Sequence, residues 1–478
     1  MALGLMSAAC SEESSTAKTT AAPGASAAPS AATNAPAPTD SAATAPTTAT
    51  EGTTAGTTAT EGTTATDGTA AGNDAALNDW ALAYSGGTAG AAAGDPIKIG
   101  YVNQEDFFPE NTIGIDAGVA YINAELGGVS GRPIEIVKCV INTGDDGSKC
   151  GTEMANNSAI NLVITGTMQD NHQPLYDALN GKKAVIIGNG ITTEDFTTTA
   201  GQAFTAGSPG VIPGMGAMVT TLLNPKPKTA AIVYVDTGAG SAAFDLLLKP
   251  VLEKAGLTVS YVAVSATATA ADVQSAMTAV GAETADVFMP IVTIQQCINV
   301  YDSIKALAID PVVVTTGLCF GTPMTDHLKE VGETGVVPDG WYFGGYGYNY
   351  YEPDLESGMA TYIAKVQKYG KPAPGATTLE YTGFAGPSFA NIMTAAKFYN
   401  QIGADKADVA SIDAKIRGFK GPMMIQVGPL DCGKQIIVGL PIFVSVCGSQ
   451  MGIQQYKGGK WTSIADGLNG KPIDATKA

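Results

Sequence analysis

Histidine is nearly missing, with 2 residues in 478. That leaves little room for a histidine metal centre or for a triad built on an imidazole base. Charge is sparse, at 15% of the chain, and unbalanced: 26 Lys and Arg stand against 44 Asp and Glu, a net charge of −18. An acidic chain without clustered cations suits neither nucleic-acid phosphates nor an anionic membrane surface. After the short N-terminal leader, no apolar run reaches the roughly 18 residues of a membrane-spanning helix. The phosphate-cradling GxxxxGK[ST], the zinc-binding HExxH and the nucleophile-elbow GxSxG patterns are absent. Asp236-Thr237-Gly238 matches the aspartic-protease triplet, but one triplet in a Gly/Ala-rich loop carries little weight. These absences disfavour a hydrolase, predict neither metal nor cofactor, and favour a chain that binds.

What is present divides sharply along the chain. Residues 11–95 are mostly Ala, Thr, Gly, Ser and Pro with Lys18 as the only cation, and ATEGTTA occurs at both 49–55 and 59–65. So few large apolar side chains cannot offset the entropy of ordering, which predicts a flexible spacer. Leu77–Leu82 reads as a sticky spot within it, or as one transient helical turn. Before the spacer, Met1–Cys10 places small residues directly ahead of a cysteine. It resembles the end of a bacterial lipoprotein signal, with lipidation of Cys10 after cleavage at Ala9. It lacks a basic start, and Ser7 stands where Leu is usual.

Six further cysteines fall as neighbours: Cys139 and Cys150, Cys297 and Cys319, Cys432 and Cys447. No CxxC and no nearby histidine suggest zinc. In an exported chain an even count reads as disulfides, and neighbour pairing is expected; in a reducing compartment the same six would be buried thiols.

From Pro96 onward short apolar strands alternate with helices. Strands are expected at 97–102, 133–140, 162–165 and 184–187, with helices near 113–126, 150–159 and 173–179. A second series places strands at 229–235, 258–264, 287–291 and 312–316, with helices near 241–255, 270–280 and 296–307. The remainder holds a helix at 386–402 and strand-like runs at 423–427, 436–438, 443–446 and 452–456. Such βαβ series predict α/β architecture with two parallel-sheet lobes. The expected division is a signal remnant (1–10), a tether (11–95), lobe I (96–220 and about 345–415), lobe II (221–344 and about 416–462) and a C-terminal tail (463–478).

The run Gly114–Pro133, the turn carrying Asp145 and Asp146, the strand end Val163–Gly166, the stretch Phe204–Pro209 and the closing Gln454–Trp461 occur in this order. Together they resemble the branched-chain amino acid (Leu/Ile/Val) binding proteins of ABC importers, with the type I periplasmic binding fold. The resemblance covers about Ile97 to Trp461. It implies a Venus-flytrap protein with three hinge crossovers, a small-molecule ligand held between the lobes at the strand ends, and a permease partner in the membrane. It further implies an extracytoplasmic, lipid-anchored monomer without catalysis.

The resemblance also directs attention to particular loops. In Gly166–His172, Gln169 or Asp170 stands where the family offers a serine hydroxyl; Asp170 either repels a carboxylate, favouring a cation, amide or polyol, or caps the next helix. His172 reads as a structural polar residue. Asn189, Ile191 and Thr192 follow a strand, Thr192 serving as ligand hydroxyl or helix start. Phe107 and Phe108 offer an apolar wall or pack on the lobe edge. In lobe II, Asp236, Thr293 and Gln295 end strands. Leu318 lies where amino-acid binders carry the acid that holds the α-amino group, which puts amino-acid binding in doubt. Tyr346, in the aromatic run Trp341–Tyr351, lines a pocket or packs a hinge. Importer delivery of a small amino-acid- or amide-like solute is the leading expectation. A ligand sensor of the same fold comes next, and a secreted enzyme last.

Overall fold

The computed structural model describes residues 67–143, 145–169, 172–205, 207–437, 440–463 and 472–477; Cys10 and Asp170 lie outside them. The described chain opens on α1 (Asp67–Ser85) and then alternates: β1 (Ile97–Asn103), α2 (Pro109–Glu125), β2 (Ile134–Val140), α3 (Asp146–Asn156), β3 (Ile160–Thr165), α4 (His172–Leu179), β4 (Ala184–Ile187), α5 (Thr193–Thr197) and β5 (Gln202–Ala203). The five strands form one parallel sheet ordered β2-β1-β3-β4-β5. Helices cover both faces, so β1 and β4 are buried on both sides and read as continuous apolar runs.

Lobe II repeats the design. It contains α6 (Gly207–Thr221), β6 (Thr229–Val235), α7 (Gly238–Ala242), α8 (Lys249–Lys254), β7 (Thr258–Val264), α9 (Ala270–Ala279), β8 (Val287–Ile291), α10 (Ile294–Leu307), β9 (Val314–Thr316), α11 (Thr322–Glu330) and β10 (Tyr342–Gly345). A parallel bridge from Phe288 to Val313 joins the β7-β6-β8 sheet to β9 and β10. Each lobe therefore begins with the same reversal of strand order, which opens a crevice at the carboxyl ends of the strands.

The chain then returns to lobe I as α12 (Ser357–Tyr369), α13 (Ala385–Ile402) and α14 (Val409–Arg417). A short pair follows, β11 (Lys420–Gly421) and β12 (Leu430–Asp431). The last strands, β13 (Gln450–Lys457), β14 (Lys460–Ser463) and β15 (Ile473–Asp474), extend lobe II in antiparallel fashion. The lobes are thus joined by three crossings, near 205, 347 and 448. Helix α13 lies very close to α2: a Cβ on Gly114 would stand 2.0 Å from the Ala385 carbonyl oxygen, and one on Gly118 would stand 2.4 Å from Ile392 Cγ2. Glycine at both positions, one turn apart, is what permits this approach.

Several expected boundaries move. The spacer reading of 11–95 gives way at α1, which is a helix docked on lobe I. Ala81 is fully buried, Trp80 stacks on Tyr84 at 5.3 Å, and the Tyr84 hydroxyl meets Thr394 Oγ1 at 2.7 Å. Buried Lys365 pairs with Asp74 of α1 and with Glu125 of α2, 2.9 Å away. Residues 207–220 belong with lobe II, since Gly214 of α6 faces Met451 and Gly216 faces Val251 and Leu248. The stretch 419–447, expected in lobe II, sits on lobe I: the Ala203 N–H donates to the Ser445 carbonyl, and Phe443 lies 5.7 Å from Phe196. The strand-like runs 423–427 and 443–446 form no sheet there; Val446 makes one isolated bridge to Ala203. Ile473 pairs with Met451, so the expected tail contributes a strand.

The disulfides join Cys139 to Cys150, Cys297 to Cys319 and Cys432 to Cys447, the neighbour pairing expected. The second fastens α10 to the turn Gly317–Phe320 that follows β9.

Candidate functional site

A cavity of about 810 Å³, part of it open to solvent, lies between the lobes. Lobe I supplies Asn189, Gly190 and Ile191 after β4, and Gly383 and Phe384 ahead of α13. Thr316–Leu318 and Phe320 enter from the end of β9, and Gln454 from β13. The first crossing contributes Thr205 and the start of α6; the second contributes Gly345–Tyr348 and Tyr350.

Aromatic rings form much of the wall and hold one another. Phe320 stacks on Phe343 at 5.4 Å and lies 6.1 Å from Tyr350. Phe108, behind the wall, meets Phe384 edge-on at 5.7 Å. The Tyr350 hydroxyl donates to the Gly383 carbonyl at 2.7 Å, tying the second crossing to lobe I. Burial pushes the Tyr346 hydroxyl well above its usual range, Tyr350 and Glu110 adding to the effect.

Polar atoms without protein partners gather at the same place. Asn189 Oδ1, Thr205 Oγ1, Thr316 Oγ1 and Gln454 Oε1 all belong to lining residues. Each buried, unmatched group costs roughly 1–3 kcal/mol, which a solute bearing complementary groups recovers. The orientation of Asn189 is set from behind: its Nδ2 donates to Asn111 Oδ1 at 2.6 Å and to Ser388 Oγ at 3.1 Å. Among the described residues no Lys, Arg or His side chain lines the cavity, and no cluster of His, Cys, Asp and Glu is arranged to hold a metal ion.

The loop carrying Asn189 and Ile191 is braced by a buried ion pair. His172 Nδ1 lies 2.6 Å from Asp195 Oδ1, which also accepts from the Tyr176 hydroxyl at 2.5 Å. Asp195 Oδ2 accepts from the Ile191 and Thr192 N–H groups at 2.9 and 3.0 Å. Burial opposes both charges, but mutual attraction prevails: Asp195 is held below the usual carboxylate range and His172 above the usual imidazole range.

Of the residues expected at the site, the cavity brings together Asn189, Ile191, Leu318 and Tyr346. Thr192 instead begins α5, its hydroxyl donating to Asp195. Gln169 lies outside the lining, its N–H donating to Gln104 Oε1. Phe107 is 48% exposed, and Phe108 supports the wall from behind. Asp236 and Gln295 are exposed, and Thr293 starts α10. For Asp236 the reason is strand order: β6 lies three strands from β10, about 14 Å at the usual spacing. Thr205, Ser208 and Gln454 were not singled out, though they sit within the stretches Phe204–Pro209 and Gln454–Trp461.

Two doubly wound lobes crossed three times, with a polar-edged cavity where strands end at the crossings, define a two-lobed solute-binding protein. The family model described as periplasmic binding protein matches residues 96–428, and the chain belongs to that family. Its fold is that of a solute-binding protein of an ABC transporter from R. palustris in complex with 4-hydroxybenzoate, with 16% identity over 80% of this chain and 96% of that one and a TM-score of 0.59. The leucine-binding protein LivK of Thermotoga maritima is similar at 12% identity, covering 77% and 97%, TM-score 0.58. An ABC transporter substrate-binding protein of Aeropyrum pernix gives 13%, 80% and 96%, and 0.61. No curated protein sequence matches this one.

Proposed function

We propose that this chain captures a small polar solute outside the cytoplasm and delivers it, unchanged, to an ABC importer. The supporting observation is the interlobe cavity, where unpartnered polar atoms and aromatic walls meet at two of the three crossings. A solute that touches both lobes stabilises the closed arrangement, and its contacts set how far the equilibrium shifts. The aromatic walls suit a flat or apolar body, and the acceptor-rich edge suits N–H or O–H donors, as in an amide- or amino-acid-like molecule. Lipidation at Cys10 would hold the protein at the membrane beside its permease, and the chain acts as a monomer.

The test is to release bound solute from purified protein by denaturation, identify it by mass spectrometry, and add it back. A rise in melting temperature, lost in Tyr346→Ala, is expected. Turnover of the added solute, or no stabilisation by any member of a broad metabolite panel, would overturn the reading.

A further inference from the structure

Glu110 stands in the first turn of α2 and is 2% exposed. Its Oε1 has no hydrogen-bond partner in the protein. A Cβ placed on Gly383, in the cavity wall, would meet that oxygen at 3.6 Å, so the carboxyl lies directly behind that wall, where the Phe384 N–H also donates to it. Gly383 has φ of +59°, a conformation in which a side chain is disfavoured. The titratable groups that act on Glu110, or on which it acts, are Glu105 before α2, Glu380 before α13, Tyr101 on β1, Tyr346 and Tyr350 at the second crossing, and Tyr362 on α12. None is a cation. Burial, with Glu380 and Glu105 adding repulsion, pushes the Glu110 carboxyl up to about 8.

We propose that Glu110 reads the charge of the bound solute from behind the Gly383 wall, its negative form favouring a protonated amine in the cavity, so that the solute class is a small organic ammonium ion with an apolar or aromatic body. This rests on the solute-binding reading above and makes it more specific. Three further observations point the same way. Asn189 Oδ1 and Gln454 Oε1 add acceptors, and Asn189 cannot turn its amide nitrogen inward without losing its bonds to Asn111 and Ser388. Tyr346, Tyr350 and Phe384 offer ring faces that attract cations. Among the described residues no lining cation is present to balance a carboxylate.

The proposal predicts proton release. An ammonium ion in the cavity favours the carboxylate form behind the wall, so below about pH 8 binding expels a proton from Glu110. Apparent affinity should rise about tenfold per pH unit between pH 6 and 7 and level off above 8. The full chain is screened by melting temperature against primary ammonium ions from methylamine to phenethylamine, with the matching alcohols and carboxylates. The best binder is then titrated calorimetrically at pH 6, 7 and 8 in two buffers of different ionisation enthalpy. Amines leading the panel with one proton released, and Glu110→Gln abolishing both the preference and the pH dependence, support the proposal. The wild-type pH profile decides even if the variant fails to fold. Carboxylates or alcohols leading, or amine binding without proton release, overturn it and leave the solute-binding reading intact. No stabilisation by any member overturns both.

Discussion

Replacing Asp195 with alanine should damage both the stability of lobe I and the ligand loop. The side chain is 1% exposed and accepts five interactions, from His172, Tyr176, the Thr192 hydroxyl and the Ile191 and Thr192 N–H groups. Its removal strands a buried imidazole whose Nε2 already lacks a partner, and leaves two loop amides unmatched. Breaking a buried ion pair by removing one partner costs about 3–5 kcal/mol, and that is the expected loss. Asp195→Asn keeps the shape but turns one acceptor oxygen into a donor facing donors, for about 1–3 kcal/mol. Denaturant unfolding followed by circular dichroism measures both, and solute affinity should fall with them because Asn189 and Ile191 share the loop. The pH dependence has a definite sign. The depressed Asp195 contributes stability above about pH 4 that is lost as pH falls through its folded value; the raised His172 contributes stability below about pH 6.5 that is lost as pH rises through its own. The pair therefore contributes most between those limits. A loss under about 1 kcal/mol for Asp195→Ala would refute the reasoning, since it would mean the pair does not brace the lobe.

Two other substitutions probe the frame around the cavity. Gly114→Ala places a Cβ against the Ala385 carbonyl and must push α2 from α13; overpacking should cost about 1–3 kcal/mol or more, with weaker solute binding because Phe384 rides on α13. Wild-type stability in a chemical-denaturation curve would show that the helices are not in this close contact. Lys365→Ala leaves Glu125 and Asp74 facing each other without their shared cation. Because Asp74 is 45% exposed, about 2–3 kcal/mol is expected, less than for a wholly buried pair. Hydrogen exchange across Asp67–Ser85 should accelerate, and unchanged protection there would count against α1 being fastened by this residue.

Much of the fold was legible because parallel strands buried on both faces leave a simple trace: short apolar runs between turns. The strands at 184–187, 229–235 and 287–291 coincide with those expected, as does the largely exposed edge strand at 258–264. Helix α1 was hidden because its residues are ordinary spacer residues except for Leu77, Trp80, Leu82 and Tyr84; its partners come from α2, 43 and 47 positions away, and from α12 and α13, 291 and 310 positions away. The disulfide pairing was readable because each pair closes a short loop beside one lobe.

The sequence alone determined the class of fold and the family, because these depend on local periodicity and on the order of motifs along the chain. Which side chains line the cavity was decided by tertiary structure. Many loops end strands in two such lobes, and strand order favours those nearest the crossings, so Asn189, Leu318 and Tyr346 line the cavity while Asp236 does not. Glu110 is the clearest case. In sequence it is an acid in the first turn of a helix, a favourable place for negative charge at any surface. Only the packing of α13 and the second crossing over it removes its water and leaves one carboxyl oxygen unmatched among the described residues.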